Sequence, residues 1–506
     1  INLKELNDPV AFPGFHSAAE KGALGLMITG AGDRAGVYAS IGAGARMQGT
    51  HDAAEAHNVG VEPLPGGQTV LEAWLARMTG EPPALESDTV LNLGLPRLAA
   101  LNARRESHPG ALGELLAKNG WSVCVYGNAD YDGKLRREAT LIGMDTRGAV
   151  LHGDVEWTSL ADVTMKQPFS AAPDLGLLKD AFSQNYIGGA TAEKPYSCDF
   201  IVIDFGDTAR AEEFRAEADP LAAKNRKRQA LERLDHFLAY AVKTAGLENT
   251  QIMLISPMPP ADAVRLNESM TPVLAVGKGI AHGELTSATT RGKGLLTDSD
   301  IAPHILNYFG VAAPQGMAGS PLKAVPAGNA AAGLLRLQFM DAMRLRMGRL
   351  LQTSILLSLI VIIFAYLTVM RMPRVPRDWQ RTLGVGLSVC AGMFPALILA
   401  ALIFTGAFDS FKGDFLNYIA YFAIPAVLIG GAVAMLPRAE WRALTFIIMY
   451  VLLFGIDAIC GGSLSRGSVL ASSPQMSLRF FGAENTAAGL LLGSALAGIG
   501  LGLDLL

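Results

Sequence analysis

Six polar side chains follow short apolar runs in the N-terminal part of the chain, and their chemical types are suited to hydrolysis. They are Thr29, Asn128, Asp130, Asp204, Asp207 and Ser256. A hydroxyl group can act as a nucleophile, and carboxylates can hold metal ions or accept protons. Asn and Asp after a strand are also common as turn formers and helix caps. The sequence therefore leaves catalytic, ligand-binding and purely structural roles open at these positions.

Elements that would position these residues can be predicted from the apolar pattern. The predicted strands are 23–28, 89–95, 122–126, 200–205, 251–255 and 272–276, and the predicted helices are 69–78, 111–118, 211–244 and 300–309. This alternation favours an α/β fold in which helices cover both faces of a mostly parallel sheet. Because ligands bind beyond the carboxyl ends of parallel strands, we expect the polar residues to converge on one edge.

The character of the sequence changes near residue 350, where apolar segments begin and continue to the last residue. Five tracts, 351–370, 383–408, 416–436, 443–460 and 487–506, approach the length of about 20 residues that crosses a hydrocarbon core. The sequence thus predicts an α/β domain over 1–320 and a linker over 321–350. An all-α polytopic transmembrane domain with at least five helices would follow over 351–506.

Positive charge near the apolar tracts predicts the orientation, because Lys and Arg beside a span tend to stay on the cytoplasmic side. Arginines after the first tract are Arg371, Arg374, Arg377 and Arg381, and those before it are Arg336, Arg344, Arg346 and Arg349. The second group opposes the orientation that the first group favours. Since the next loop carries Asp409, Lys412 and Asp414, the alternation of loops favours an extracytoplasmic position for residues 1–320.

Composition excludes some classes of partner and site. The formal net charge of -4 gives no sign of a basic nucleic-acid-binding face. Cys390 and Cys460 lie in apolar tracts, and no CxxC pair is present for zinc. Cys124 and Cys198 can form one disulfide, but we expect them to be unpaired core residues. We also expect further residues before Ile1 and after the final apolar tract.

Four segments carry a family resemblance. Residues 294–311, with the sequence GLLTDSDIAPHILNYFGV, resemble the closing segment of the alkaline phosphatase superfamily. The segment 40–44 is similar to the stretch that follows the nucleophile in the phosphodiesterase branch, and 207–210 is similar to a remnant of a metal-binding motif. Residues 468–493 resemble a part of uncharacterised bacterial membrane proteins that carry such a domain. The resemblance implies an alkaline phosphatase-like domain in a multi-pass protein of the bacterial cytoplasmic membrane.

The chemistry of that superfamily requires a Ser or Thr nucleophile beside two metal ions, usually zinc. The resemblance places Arg34 at the nucleophile position, although Thr29 is available as a substitute. Strand 251–255 leads into Ser256 and prolines instead of a metal motif, and Arg210 or a neighbour stands where a His is expected. We therefore expect a catalytically degenerate domain without a metal site. Zinc or manganese would be the cofactor only if the domain is an enzyme.

Two further groups of polar residues are candidates. His51, His57, His282 and His304 have no recognised metal-ligand spacing, and we expect surface or packed side chains. In the membrane part, the cluster Asp457, Arg479, Glu484 and Asn485 lies in or beside apolar tracts, where charge is costly and often functional. That cluster is suited to a lipid head group, a phosphate or a proton path. Alternatively, Asp457 lies at the interface and pairs with Arg466.

Three functions follow from these observations. The leading hypothesis is an envelope protein whose degenerate domain binds a phosphorylated or glycan-bearing lipid, through Arg34, Asn128, Asp130 and Ser256, or docks a partner protein. The second is an active phosphoester hydrolase or phosphoryl-group transferase on lipid-linked envelope precursors, with Thr29, Asp204 and Asp207 as catalytic residues. The third is a lipid or solute transporter centred on Asp457. Expected partners are membrane lipids and proteins, and nucleic acid is excluded.

Overall fold

The computed structural model describes residues 1–30, 32–60, 64–156, 173–184, 197–371, 376–403, 419–459, 473–476, 489, 492–496 and 499. Contacts divide the chain into two compact units. The first comprises Ile1–Arg265 and Ser269–Leu335, and the second comprises Leu266–Glu268 and Arg336–Leu506. The first unit is a mixed α/β domain, which confirms the predicted fold class at this level.

Twelve strands are described in the first unit. They are β1 (Ala23–Ile28), β2 (Ala56–Asn58), β3 (Val90–Asn92), β4 (Val123–Gly127), β5 (Ala149–Val150), β6 (His152–Asp154), β7 (Phe200–Asp204), β8 (Gln251–Ile255), β9 (Thr271–Gly277), β10 (Gly283–Thr286), β11 (Leu295–Thr297) and β12 (Lys323–Pro326). The six predicted strands correspond to β1, β3, β4, β7, β8 and β9. β1 is a continuous apolar run with every residue buried, because the side chains of an internal strand are covered on both faces.

The helices of the first unit begin after these strands or connect them. They are α1 (Leu3–Leu6), α2 (Pro13–Lys21), α3 (Arg34–Ala43), α4 (Val70–Arg77), α5 (Leu95–Leu101), α6 (Ala111–Lys118), α7 (Thr140–Gly143), α8 (Leu175–Phe182), α9 (Asp207–Phe214), α10 (Pro220–Thr244), α11 (Ala261–Arg265) and α12 (Ile301–Tyr308). The predicted helix 211–244 is in fact two helices. Pro220 starts the second, where its fixed φ and missing N–H are tolerated.

The sheet arrangement differs from the expected mostly parallel sheet. The largest sheet has the order β12-β10-β1-β9-β8, with β11 also paired to β1, and it is mixed. Strand β1 is parallel to β10 and β11 but antiparallel to β9. A second sheet, β2-β3-β5, is antiparallel, and only the third, β6-β4-β7, is wholly parallel. The prediction failed because a buried apolar run has the same composition in either strand direction.

Cys124 and Cys198 form a disulfide, so the expectation that both are unpaired is wrong. Cys124 lies in β4, and Cys198 comes just before the neighbouring strand β7. Their Cα atoms are 5.8 Å apart, a separation typical of disulfides. Strand pairing brings the two thiols together across 74 residues of sequence, which the spacing of the cysteines does not reveal.

The second unit is helical in its described parts. Its helices are α13 (Ala330–Arg371), which begins in the first unit, α14 (Arg377–Ile403), α15 (Ile424–Ala434) and α16 (Ala439–Ile459). The expected linker 321–350 therefore contains β12 and the first turns of α13. One described helix, over Ala439–Asp457, is long and apolar enough to cross a membrane, and Thr353–Ala365 and Ile424–Ala434 are shorter apolar helices. Most of the predicted tract 487–506 lies outside the described residues.

Candidate functional site

The carboxyl ends of β4 and β7 bring several predicted residues together. The strands are parallel neighbours, and Gly127 at the end of β4 lies opposite Asp204 at the end of β7. Arg210 of α9 connects the segments that follow. Its guanidinium donates to the backbone and side-chain oxygens of Asn128, both at 2.8 Å, and to Asp207 Oδ1 at 2.9 Å. Parallel pairing therefore places Asn128, Asp204 and Asp207 at one edge.

Both carboxylate oxygens of Asp207 accept hydrogen bonds from arginine side chains. Arg210 contacts one carboxylate oxygen, and Arg233 Nε donates to the other at 3.1 Å. Arg210 is 1% exposed and Asp207 is 2% exposed, so these charges depend on each other for compensation. Asp207 is therefore the counter-ion of two guanidinium groups, and a metal ion would have to displace them.

Asn128 and Asp130 hold the loop after β4. Asn128 Nδ2 donates to the carbonyl oxygen of Val155 at 2.8 Å, and Asn128 Oδ1 accepts from the backbone N–H of Asp130 at 2.9 Å. Asp130 in turn accepts from the backbone N–H of Arg136 at 2.6 Å and from Arg137 Nε at 3.0 Å. Three of these four bonds join a side chain to the backbone, as in a turn, which is the structural alternative that the sequence left open, and the fourth joins Asp130 to Arg137.

Arg34, a candidate ligand-binding residue in the sequence, lies in a cluster with two acidic side chains. It begins α3, whose N-terminus is capped by the side chain of Asp33. Arg34 Nε lies 3.1 Å from Glu138 Oε2, and Arg34 Nη2 lies 3.5 Å from Asp204 Oδ2. These are ion-pair contacts without hydrogen-bond geometry, since the three atoms Arg34 Nε, Glu138 Oε2 and Asp204 Oδ2 have no hydrogen-bond partner.

The cluster of Arg34, Glu138 and Asp204 carries two carboxyl groups against one guanidinium. The Glu138 side chain is 2% exposed and that of Asp204 is 9% exposed. Burial raises the pKa of both carboxyl groups above their ordinary values, and the charge of Arg34 opposes this effect only in part. An incoming anion would therefore meet a guanidinium that already has two acidic neighbours.

A cavity of about 680 Å³ lies beside this cluster. Arg34, Asp204 and Ser256 all contribute to its wall, together with residues of β7 and β8. Ser256 Oγ accepts from the α-amino group of Ile1 at 3.3 Å and donates to the carbonyl oxygen of Met258 at 3.2 Å. Ser256 thus faces the same cavity as Arg34 and Asp204, and its hydroxyl already has two partners.

Thr29 has different surroundings. It follows β1 and is partly buried, and no hydrogen bond described for the chain joins it to Asp204 or Asp207. The neighbouring Gly30 N–H donates to Asp298 Oδ2 at 3.0 Å, because the strands preceding the two residues, β1 and β11, are parallel neighbours. Burial raises the pKa of Asp298 to about 6.

The residues present do not fit the two-metal centre of the phosphatase superfamily. Within the described ranges, no three His, Cys, Asp or Glu side chains are grouped as metal ligands. Asp207 is held by two arginines, and the cation beside Asp204 is a guanidinium. Among the described residues, the carboxylates that could hold a metal ion at this edge already contact arginine side chains.

The membrane polar cluster is described only in part. Asp457 lies in α16 and is 1% exposed, so it is buried within the helical unit. Arg479, Glu484 and Asn485 lie outside the described residues. Another buried carboxylate, Asp341 of α13, accepts from Ser473 Oγ at 2.9 Å and from Gln475 Nε2 at 2.7 Å. The proposed grouping around Asp457 stays a prediction.

Three residues near the site did not stand out in the sequence. Glu138 is in a polar stretch, Arg233 is in the middle of a long charged helix, and Asp298 is in the segment interpreted only as a family signature. Each reaches its partner across at least 26 residues of sequence, as with Arg233 and Asp207. Of these three residues, Asp298 alone has a local sequence signal for a site residue, because it is a polar residue directly after a strand, β11.

Comparison with known proteins gives no assignment at the level of family. No protein-family model matches the sequence, and no curated protein matches it.

Proposed function

We propose that this chain is a multi-pass protein of the bacterial cytoplasmic membrane whose extracytoplasmic domain, of alkaline phosphatase-like type, docks a partner protein and does not hydrolyse phosphoesters. The observation that carries the proposal is Arg34. Its guanidinium is paired with Glu138 and Asp204, and the family resemblance would place a nucleophile at this residue. A site filled by internal ion pairs has lost the ability to hydrolyse phosphoesters, while the fold around it is kept.

Docking of a protein is favoured over binding of a phosphorylated lipid head group. Recognition of phosphate uses cationic side chains that are free to form bidentate hydrogen bonds. Arg210 already donates to Asn128 and Asp207, and Arg34 faces two carboxyl groups. A further anion would compete with these buried carboxylates for the same guanidinium groups.

Two observations support the membrane placement and its orientation. The disulfide between Cys124 and Cys198 is typical of oxidising compartments, so it favours an extracytoplasmic position for the α/β domain. Large apolar side chains are exposed along α13, including Leu356, Ile363 and Phe364, each more than half exposed. Exposed apolar side chains in continuous rows are suited to contact with lipid.

The first test is the metal content of the purified chain, measured together with hydrolysis of a generic phosphodiester. We expect less than one zinc or manganese ion per chain and no turnover above the buffer. The Thr29→Ala variant should give the same result as the unmodified protein. About two metal ions per chain with turnover, abolished in Thr29→Ala, would contradict the proposal and restore the hydrolase hypothesis.

A second test addresses docking against lipid binding. Binding of inorganic phosphate and of vesicles with a phosphorylated lipid should be equal for the unmodified protein and for Arg34→Gln. Protein crosslinks formed through the α/β domain in cells should decrease in Arg34→Gln. An affinity for phosphate or for the vesicles that falls in the variant would instead favour the lipid ligand.

A further inference from the structure

Strands β7 and β8 are largely apolar but only partly covered. All five residues of each strand are partly buried, whereas every residue of β1 and of β4 is buried. Residues of both strands line the cavity of about 680 Å³, which is open to solvent along part of its boundary. Apolar surface that meets water in this way favours binding of a further apolar group.

Each of the two strands also ends its sheet. Strand β7 ends the sheet β6-β4-β7, and β8 ends the mixed sheet. Within the part of the chain that the structure describes, each pairs with one strand, β7 with β4 and β8 with β9. The second edge of a terminal strand presents backbone N–H and C=O groups, and extended peptides bind proteins by pairing with such edges.

The two strands point in the same direction. Strand β8 is antiparallel to β9, as β1 is, so β8 and β1 are parallel. Arg34, shortly after β1, contacts Asp204 at the end of β7. The backbone N–H of Ala261, after β8, donates to Glu212 Oε2, after β7, at 3.3 Å. The carboxyl ends of β7 and β8 therefore lie on the same side of the domain, so one extended segment can run along both.

The remainder of the cavity wall selects an apolar segment. Helix α10 contributes Leu234, Phe237 and Leu238, and α12 contributes Ile301 and Ile305. A strand enclosed by such side chains is covered on both faces, so it needs apolar residues at every position. A segment that matches its neighbours has about five such residues, the length of β7 and of β8.

Asp204 adds a charged acceptor at one end of the cavity. It is the last residue of β7, it lines the cavity, and its side chain is 9% exposed. Among the described residues, its Oδ2 accepts no hydrogen bond, and neither does Oε2 of the neighbouring Glu138. Arg34 is within ion-pair distance of both carboxyl groups. Two buried carboxyl groups therefore share this guanidinium.

Three other cations of the wall already have acidic partners. They are Arg136 with Glu213, Arg215 with Glu212 and Lys227 with Glu5. Burial raises the pKa of Asp204, although Arg34 and Arg210 oppose this effect. A Lys or Arg side chain of a bound segment would donate a hydrogen bond to Asp204 and stabilise its ionised form. The charge of the cavity thus complements a segment that is cationic at this end.

We propose that the cavity binds an extended segment of a partner protein as a β-strand between β7 and β8. The segment has about five consecutive apolar residues, to match the five residues of each neighbour, and a Lys or Arg beside Asp204. Its backbone pairs with both strand edges and joins the parallel sheet to the mixed sheet. This inference rests on the proposed docking function and identifies the part of the partner that is bound.

The test is hydrogen–deuterium exchange of the full chain in detergent with three synthetic peptides, each in excess. The first is Lys-Val-Ile-Val-Ile-Val-Lys, blocked at both ends so that the lysines carry its only charges. The second has Glu in place of both lysines, and the third is the lysine peptide with every Val nitrogen methylated, which prevents pairing along one edge. We expect the lysine peptide alone to slow exchange over both 200–204 and 251–255 by at least about tenfold. Amides of β1 are the internal reference, because β1 is already paired on both edges.

The Asp204→Asn variant tests the charge. Asn keeps the shape of the side chain without the negative charge, so the same protection should need at least about tenfold more lysine peptide. Arg34→Gln should weaken binding as well, because Arg34 favours the ionised form of Asp204 and of Glu138. The matched control is Asp132→Asn, at an exposed position with a φ of 48° that Asn also tolerates, and it should leave binding unchanged.

Four results would overturn the inference. Unchanged exchange with the lysine peptide would show that the strand edges accept no further strand. Equal protection by the lysine and glutamate peptides would show that Asp204 does not select the segment. Equal protection by the methylated peptide would show that apolar side chains bind without pairing along both edges. Protection that increases with protein concentration in the absence of peptide would assign the cavity to a second copy of this chain.

Failure of this inference can be distinguished from failure of the proposed function. Crosslinks to a partner in cells, together with unchanged exchange in the peptide experiment, would overturn the inference and leave docking through another surface. Absence of such crosslinks in the unmodified protein, together with metal-dependent turnover, would overturn both.

Discussion

Replacing Cys124 by Ser should destabilise the α/β domain strongly. The disulfide joins β4 to the segment before β7 and closes a loop with a sequence separation of 74 residues. Restriction of the unfolded chain by a loop of this size contributes about 4 kcal/mol at 25 °C in the chain-entropy model. The variant therefore loses a stabilisation comparable to a large part of the total stability of a domain.

The assay is hydrogen–deuterium exchange of the β4 and β7 amides in the purified protein, with intact-mass measurement after alkylation. If these amides exchange through opening of the domain, a loss of about 4 kcal/mol accelerates their exchange by roughly a thousandfold. Alkylation without reductant should modify neither Cys124 nor Cys198 in the unmodified protein. After reduction, two further thiols become reactive.

Cys390→Ser is the matched control, because Cys390 is a free thiol in the helical unit. It removes the same sulfur atom without opening a loop, and exchange in β4 should stay unchanged. Two results would refute the reasoning. One is alkylation of both Cys124 and Cys198 in unreduced protein, and the other is an exchange rate in Cys124→Ser equal to that in the control.

Three further substitutions test buried charges. Burial lowers the pKa of His304 to about 4. The unfolding free energy should therefore be unaffected by His304 above about pH 6.5 and should fall by up to about 3 kcal/mol as the pH drops to 4. His304→Gln should reduce this loss, measured by thermal unfolding. Burial raises the pKa of Asp298 to about 6, which has the opposite pH dependence. The unfolding free energy should fall by up to about 3 kcal/mol as the pH rises from 4 to 6. Asp298→Asn should remove that fall. Parallel pH profiles for variant and unmodified protein would contradict either prediction. Arg210→Met leaves the buried carboxylate of Asp207 with one partner and should cost about 3 to 5 kcal/mol in unfolding free energy, whereas the exposed control Arg228→Met should cost less than about 1 kcal/mol.

Local composition was enough to locate the principal strands. Strands β1 and β8 were predicted with their observed bounds. For β1 the reason is that a strand buried on both faces must be apolar at every position. The direction of β9 was not predictable in this way. Its run of apolar residues is compatible with either direction, and only its pairing with β1 and β8 makes the largest sheet mixed.

The candidate site divides in a similar way. That polar residues stand after β4 and β7 is a property of the sequence, and the parallel pairing of these strands brings them to one edge. Their chemical state was decided by partners far along the chain. Glu138 and Asp204 meet Arg34, and Arg233 reaches Asp207, so carboxylates that seemed available for catalysis are counter-ions.

The sequence by itself determined the α/β class of the first unit and the positions of its main strands. These depend on residue type and local pattern, which the chain carries whatever its fold. Only the tertiary structure decided the mixed sheet, the disulfide between Cys124 and Cys198 and the closed ion pairs of the site. Each of these is a contact between distant segments, and its partner is chosen by packing of the whole domain.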